Sequence, residues 1–126
     1  YFTEIDFDKH VAIVATLQEQ KEEKIIGVGR YIVIEHRNKQ KVAEIAFIID
    51  DKYQHLGIGT ILFENLITIA QDNGISIIVA DVLLENKNML ELFKHSGFAL
   101  HSTFELGIEH IEFSIEGQAF NRYYDT

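Results

Sequence analysis

Three apolar, β-branched runs separated by polar breaks fill the first fifty residues, and a run with helical spacing follows them. Val11 to Leu17, Ile25 to Glu35 and Val42 to Asp50 are the apolar runs. Residues of this type, bounded by charged or polar segments, predict strands. Gln18 to Lys24 and Glu35 to Lys41 read as the connecting loops, so the first part is expected to be an antiparallel meander. Ile58, Ile61, Leu62, Leu66, Ile69 and Ala70 then recur along one helix face. Asn73-Gly74 supplies a left-handed stop for that helix.

A strand from Ile75 to Leu84 comes next. Strand, helix and strand in this length make a crossover unit, so Val42–Asp50 and Ile75–Leu84 are predicted to lie parallel in one sheet. Lys87 to Ser96 fits a second helix, with Asn86 as its N-cap and Gly97 as its stop. Phe98–Leu106 and Ile108–Ile115 read as a closing antiparallel pair around Gly107. The fold class is therefore α/β of the α+β kind: a mixed, mostly antiparallel sheet with a central parallel pair and flanking helices. The polar, aromatic tail from Gly117 to Thr126 carries Phe120, Tyr123 and Tyr124, which either dock on a partner or form a free end.

Composition narrows the picture. With 126 residues, 47% of them hydrophobic, the chain can bury one core, so it is expected to be a single domain spanning 1–126. It starts at Tyr1 without an initiator methionine or a charged-then-apolar leader, which reads as a piece of a longer, multidomain protein. No apolar run reaches the roughly 18 residues a membrane span needs. The chain has no cysteine, which excludes disulfides, thiolate metal ligands and a cysteine nucleophile and suits a cytoplasmic protein. A formal charge of −9 works against nucleic-acid binding. It favours basic partners such as lysine-rich protein surfaces, or serves solubility alone. His10, His36, His55, His95, His101 and His110 show no metal-ligand spacing, so no metal is expected.

The chemistry concentrates at Gln54-His55-Leu56-Gly57-Ile58-Gly59-Thr60, between an apolar strand and an apolar helix. Glycines let the main chain approach an anion, and the following helix N-terminus adds roughly half a positive charge. A phosphorylated cofactor is expected there. A dinucleotide-binding turn is a poor fit: Leu62 stands at the third glycine position, and Asp50 to Gln54 separate the strand from the glycines. A phosphate-loop NTPase fails because no lysine followed by serine or threonine closes the loop.

Gln54, Gly57 and Gly59 match the signature of Arg or Gln, two residues, Gly, one residue, then Gly or Ala. Asn86, Leu92, Gly97 and Phe98 match the later asparagine-led helix that ends before Gly-Phe. With both motifs in order, the chain resembles the GNAT superfamily of acyl-CoA-dependent N-acetyltransferases from about Val11 to Ile115. The family's first strand and first helices would lie before Tyr1. The resemblance implies a central parallel strand pair splayed around acetyl-CoA as co-substrate. The strand segment Phe47-Ile48-Ile49 would pair with the pantetheine arm, and His55 to Thr60, with Leu56 among them, would wrap the pyrophosphate. Asn86 would be either a polar contact to the arm or only a helix cap. Phe93 stands where many members place a tyrosine that protonates the departing sulfur; phenylalanine cannot do so.

Phe2-Thr3-Glu4-Ile5-Asp6-Phe7-Asp8, Ala43-Glu44-Ile45-Ala46-Phe47 and Asn86 to Phe93 are similar to the corresponding segments of bacterial protein lysine acetyltransferases of the Pat type. That subgroup implies a protein lysine as acceptor, an acyl-CoA synthetase as target, and a regulatory or synthetase-like domain in the same chain. Two other readings stay open: a small-molecule amine N-acetyltransferase and a non-catalytic acyl-CoA sensor.

Glu44 is the candidate catalytic residue. Counting by two places it with Val42, Ala46 and Ile48 on an otherwise apolar face, where a carboxylate is costly unless paired or used. Acetyl transfer needs a neutral amine, but a lysine ammonium has a pKa of about 10.4, so a base must take a proton. In the Pat-like group Glu44 stands at the position of the catalytic glutamate. The competing reading pairs it with Arg30 or Arg37 from the neighbouring strand.

Overall fold

In a computed structural model, residues 9–117 are described. The Phe2–Asp8 segment and the aromatic tail with Phe120, Tyr123 and Tyr124 lie outside the described residues. The elements run β1 (His10–Glu19), β2 (Glu22–Arg37), β3 (Gln40–Ile49), a 3-10 turn (Asp51–Tyr53), α1 (Ile58–Asp72), β4 (Ile75–Leu83), α2 (Lys87–Lys94), β5 (His101–Glu105) and β6 (Ile108–Ser114). All six strands form one sheet in the order β1-β2-β3-β4-β6-β5, antiparallel except for β3 and β4. This is the mixed sheet with a central parallel pair that the strand–helix–strand spacing predicts.

The hairpins are tighter than the polar breaks suggest. Gln20-Lys21, Asn38-Lys39 and Leu106-Gly107 each place two successive residues at positive φ. Such two-residue turns match the right-handed twist of the strands they join. The charged residues around them remain in the ladder, as in Gln18↔Glu23 and His36↔Lys41. A solvated strand end tolerates charge, so a polar run does not mark the end of a strand. β5 starts at His101 rather than Phe98, because Phe98 is buried in the core instead of extending the edge strand. α2 closes at Lys94, two residues before Ser96.

Both helices pack on one face of the sheet. Phe63, Leu66, Ile67 and Ala70 of α1 and Leu90 and Phe93 of α2 join Ala43, Ile45, Ile78, Ala80, Ile111 and Phe113 in one core cluster. Its centre is aromatic: Phe63 meets Phe93 edge-on with centroids 5.6 Å apart, and Phe98 stacks on Phe113 at 5.1 Å. The far end of α1 is tied to β2 by Asn73, whose Nδ2 donates to the Tyr31 hydroxyl at 2.8 Å.

Two glycines of β2 set the height of α1 above the sheet. A Cβ on Gly29 would sit 2.9 Å from the Phe47 ring, and one on Gly27 would sit 3.1 Å from both Ile49 and Leu62. Replacing Gly29 by alanine therefore forces the Phe47 ring aside. The expected loss is about 1–3 kcal/mol of stability, read from urea unfolding midpoints.

Candidate active site

The site is built where β3 leaves β4. Their parallel ladder runs from Lys41↔Ile75 to Glu44↔Val79 and goes no further, although β3 continues to Ile49 and β4 to Leu83. Over this stretch β3 keeps its partner β2, through Phe47↔Gly29 and Ile49↔Gly27. Its other edge faces a gap.

A cavity of ≈ 680 Å³ occupies the helix side of that gap. Phe47, Ile48 and Ile49 line it from β3, Gln54 to Thr60 apart from Leu56 from the loop and the start of α1, and Asn86 and Asn88 from the α2 end. Gly57 takes φ +82 and precedes α1 without a side-chain cap. The first N–H groups of a helix need partners, and here no side chain caps them and they open into the cavity. An anionic phosphate fits that donor set. α2 differs in that Asn86 Oδ1 accepts from the Met89 N–H at 3.2 Å. Asn86 is thus a true N-cap as well as a lining residue.

Most of the residues expected to meet a cofactor converge here: Phe47, Ile48, Ile49, Gln54, His55, Gly57, Ile58, Gly59, Thr60 and Asn86. Two stand apart. Leu56 projects outward and is 65% exposed, so only its backbone belongs to the loop. Phe93 is 1% exposed and packs against Phe47, Phe63 and Phe113 in the core, so its ring supports the cavity wall from behind. Sequence reasoning missed Tyr53, Phe63, Asn88, Met89 and Leu92, which also line the cavity. For α2 the signal was available: Asn88, Leu92 and His95 repeat at helical spacing on the side that lines the cavity.

Glu44 stands at the last paired rung, at the apex of the gap, but is not among the residues that line the cavity. Its side of the sheet is the open one, and the core side is taken by Ala43 and Ile45. Glu44, Ala46 and Ile48 are all exposed, so the expectation of a carboxylate buried among apolar side chains does not hold. Ala46 and Ile48 share its exposure, whereas Val42, beside a register shift in the β3–β4 ladder, is fully buried; alternation alone does not tell which face the helices cover. The arginine pairing fails too. Arg37 binds Glu112 at 3.1 Å and Glu35 at 3.4 Å, and among the described residues neither Arg30 nor Arg37 forms an ion pair with Glu44. Hydrogen bonds to Glu35 and then to Glu112 raise the Arg37 pKa above its ordinary value.

The model of the acetyltransferase (GNAT) family matches residues 1–98, more than three quarters of the chain. The chain belongs to the GNAT family. This GNAT chain is 30% identical over 95 residues to acetyltransferase PA5475 of Pseudomonas aeruginosa, covering 75% of itself and 50% of that protein. It thus spans about half the length of that curated relative. Among solved structures it is similar to the GNAT domain of PAT from S. lividans, with a TM-score of 0.75, 29% identity, and coverage of 90% of this chain and 65% of that one. The cAMP-binding acyltransferase of Mycobacterium smegmatis also shares the fold, with a TM-score of 0.70, 27% identity, and coverage of 89% and 33%.

For this GNAT chain, Asn86→Ala is expected to cost about 1 kcal/mol of stability, the worth of a lost cap, in chemical denaturation.

Proposed function

We propose that this chain is an acetyl-CoA-dependent N-acetyltransferase domain that modifies a lysine of a protein, with an acyl-CoA synthetase as the target class. The observation that carries the cofactor is the uncapped α1 N-terminus behind Gly57, opening into the same cavity as the unpaired edge of β3. The first suits a pyrophosphate, and the second offers main-chain groups to an amide-bearing arm. The lysine acceptor is supported by the likeness to the S. lividans PAT domain and by the −9 charge, which suits a lysine-rich partner.

The chemistry then falls to few groups. The arriving ammonium loses a proton to Glu44, at the apex of the gap, through a bridging water. The neutral amine attacks the thioester carbonyl directly, since the chain holds no cysteine to carry the acetyl group. A backbone N–H near Ile49 stabilises the charge that develops on the carbonyl oxygen. Phe93 offers no proton, so the thiolate departs without help from that position; an ordinary thiol pKa of about 8.5 makes this feasible. The domain acts in the cytoplasm, beside a regulatory or synthetase-like region of the same protein.

Acetyl-CoA titrated into the chain by calorimetry should bind, and mass spectrometry of an added acyl-CoA synthetase should then find an acetylated lysine. Transfer to a free polyamine but to no protein would instead select the small-amine reading, and binding without any transfer the sensor reading. Glu44→Gln should lower kcat about 100-fold while leaving acetyl-CoA affinity unchanged. Turnover at the unsubstituted rate would remove Glu44 as the base.

A further inference from the structure

We propose that Asn88 is the α2 side chain that holds the cofactor's phosphates, acting with Gln54 and His55 across the mouth of the cavity. The inference rests on the acetyl-CoA reading and adds a residue to it. The Asn86 carboxamide oxygen is already engaged with the Met89 N–H as a helix cap. Asn88, two residues on, turns toward the glycine loop instead. Its Nδ2 donates to Gln54 Oε1 at 2.7 Å and lies 3.5 Å from His55 Nε2.

Gln54 is itself held in place. Its Nε2 donates to Asp51 Oδ1 at 3.2 Å and lies 3.5 Å from the Ile49 carbonyl, which directs Oε1 toward α2. His55 takes φ +68, a left-handed conformation uncommon outside glycine, and this fixes the ring's point of departure from the loop. Asn88 therefore reaches across the cavity mouth onto the segment that leads directly into Gly57 and the uncapped N-terminus of α1. A carboxamide nitrogen carries two N–H groups. One is committed to Gln54; the second, whose contact with His55 Nε2 is long at 3.5 Å, exchanges that contact for an anion seated on the loop.

The rest of the lining makes this neutral donor count. Among the described residues the cavity wall includes the carboxylates Glu64 and Glu91 and no lysine or arginine. Phosphate recognition is left to backbone N–H groups and to neutral side chains, among them the amides of Gln54, Asn86 and Asn88, the hydroxyls of Tyr53, Thr60 and Ser96, and imidazole. With no cation in the wall to compensate, losing the one amide that bridges α2 to the glycine loop weakens the hold on the anion.

The test is acetyl-CoA binding by calorimetry to the unsubstituted chain, Asn88→Ala and Asn88→Asp, with melting temperatures taken alongside. S-acetylpantetheine, which has no phosphate, is titrated in parallel by NMR. Asn88→Ala should weaken acetyl-CoA about tenfold, the worth of one hydrogen bond to a charged group, and leave S-acetylpantetheine and the melting temperature unchanged. Asn88→Asp, which sets a carboxylate against the phosphates, should weaken acetyl-CoA further. Affinity of Asn88→Ala within about twofold of the unsubstituted chain, or an equal loss for both ligands, would overturn the assignment. No binding of acetyl-CoA by the unsubstituted chain would overturn the cofactor reading itself, and this assignment with it.

Discussion

The ladder between β3 and β4 stops after Glu44↔Val79, and the placement of every group at the site follows from that break. Backbone N–H and C=O groups along a strand demand partners, and a strand that loses its neighbour in mid-sheet must find others or face solvent. β3 keeps β2 on one side through Ile49, so only one edge is opened. The aromatic cluster props the opening from the helix side. Phe47 of β3 lies 5.9 Å from Phe63 of α1 and 6.5 Å from Phe93 of α2, centroid to centroid. The two β2 glycines make room for this arrangement, since side chains there would collide with Phe47 and Ile49.

The elements were legible because each one's pattern agreed with its neighbours. Asn73-Gly74 ended α1, Asn86 began α2, and the crossover length required β3 and β4 to be parallel. The turns were less legible for a specific reason. Gln20-Lys21 and Asn38-Lys39 contain no glycine, so the left-handed pairs that close these hairpins carry little compositional signal, and the charge around them looks like loop. Phe98 was drawn into β5 because an apolar residue beside an edge strand reads the same whether it extends the strand or turns into the core.

At the site, the glycine loop was readable because its backbone conformation demands particular residues: Gly57 at φ +82 leaves little choice. Side-chain roles were harder to read. Asn88 and Glu44 depend on which surface each element turns to which neighbour, and period alone does not supply that. Phe93 illustrates the limit. Its placement is central, but it serves the wall of the cavity from the core side rather than the lumen.

The two helices of the domain begin differently, and the difference links stability to ligand supply. α2 satisfies its own first turn through Asn86, whereas α1 leaves that work to whatever sits in the cavity. A partner that binds only the folded chain raises its stability by mass action, by about 2.7 kcal/mol at a hundredfold excess over the dissociation constant. If the ligand is the proposed acetyl-CoA, the folded population of the domain responds to the supply of its own co-substrate. On that reading, scarcity of the acyl donor leaves the domain more exposed to unfolding and proteolysis, and abundance of the donor protects it before any chemistry takes place.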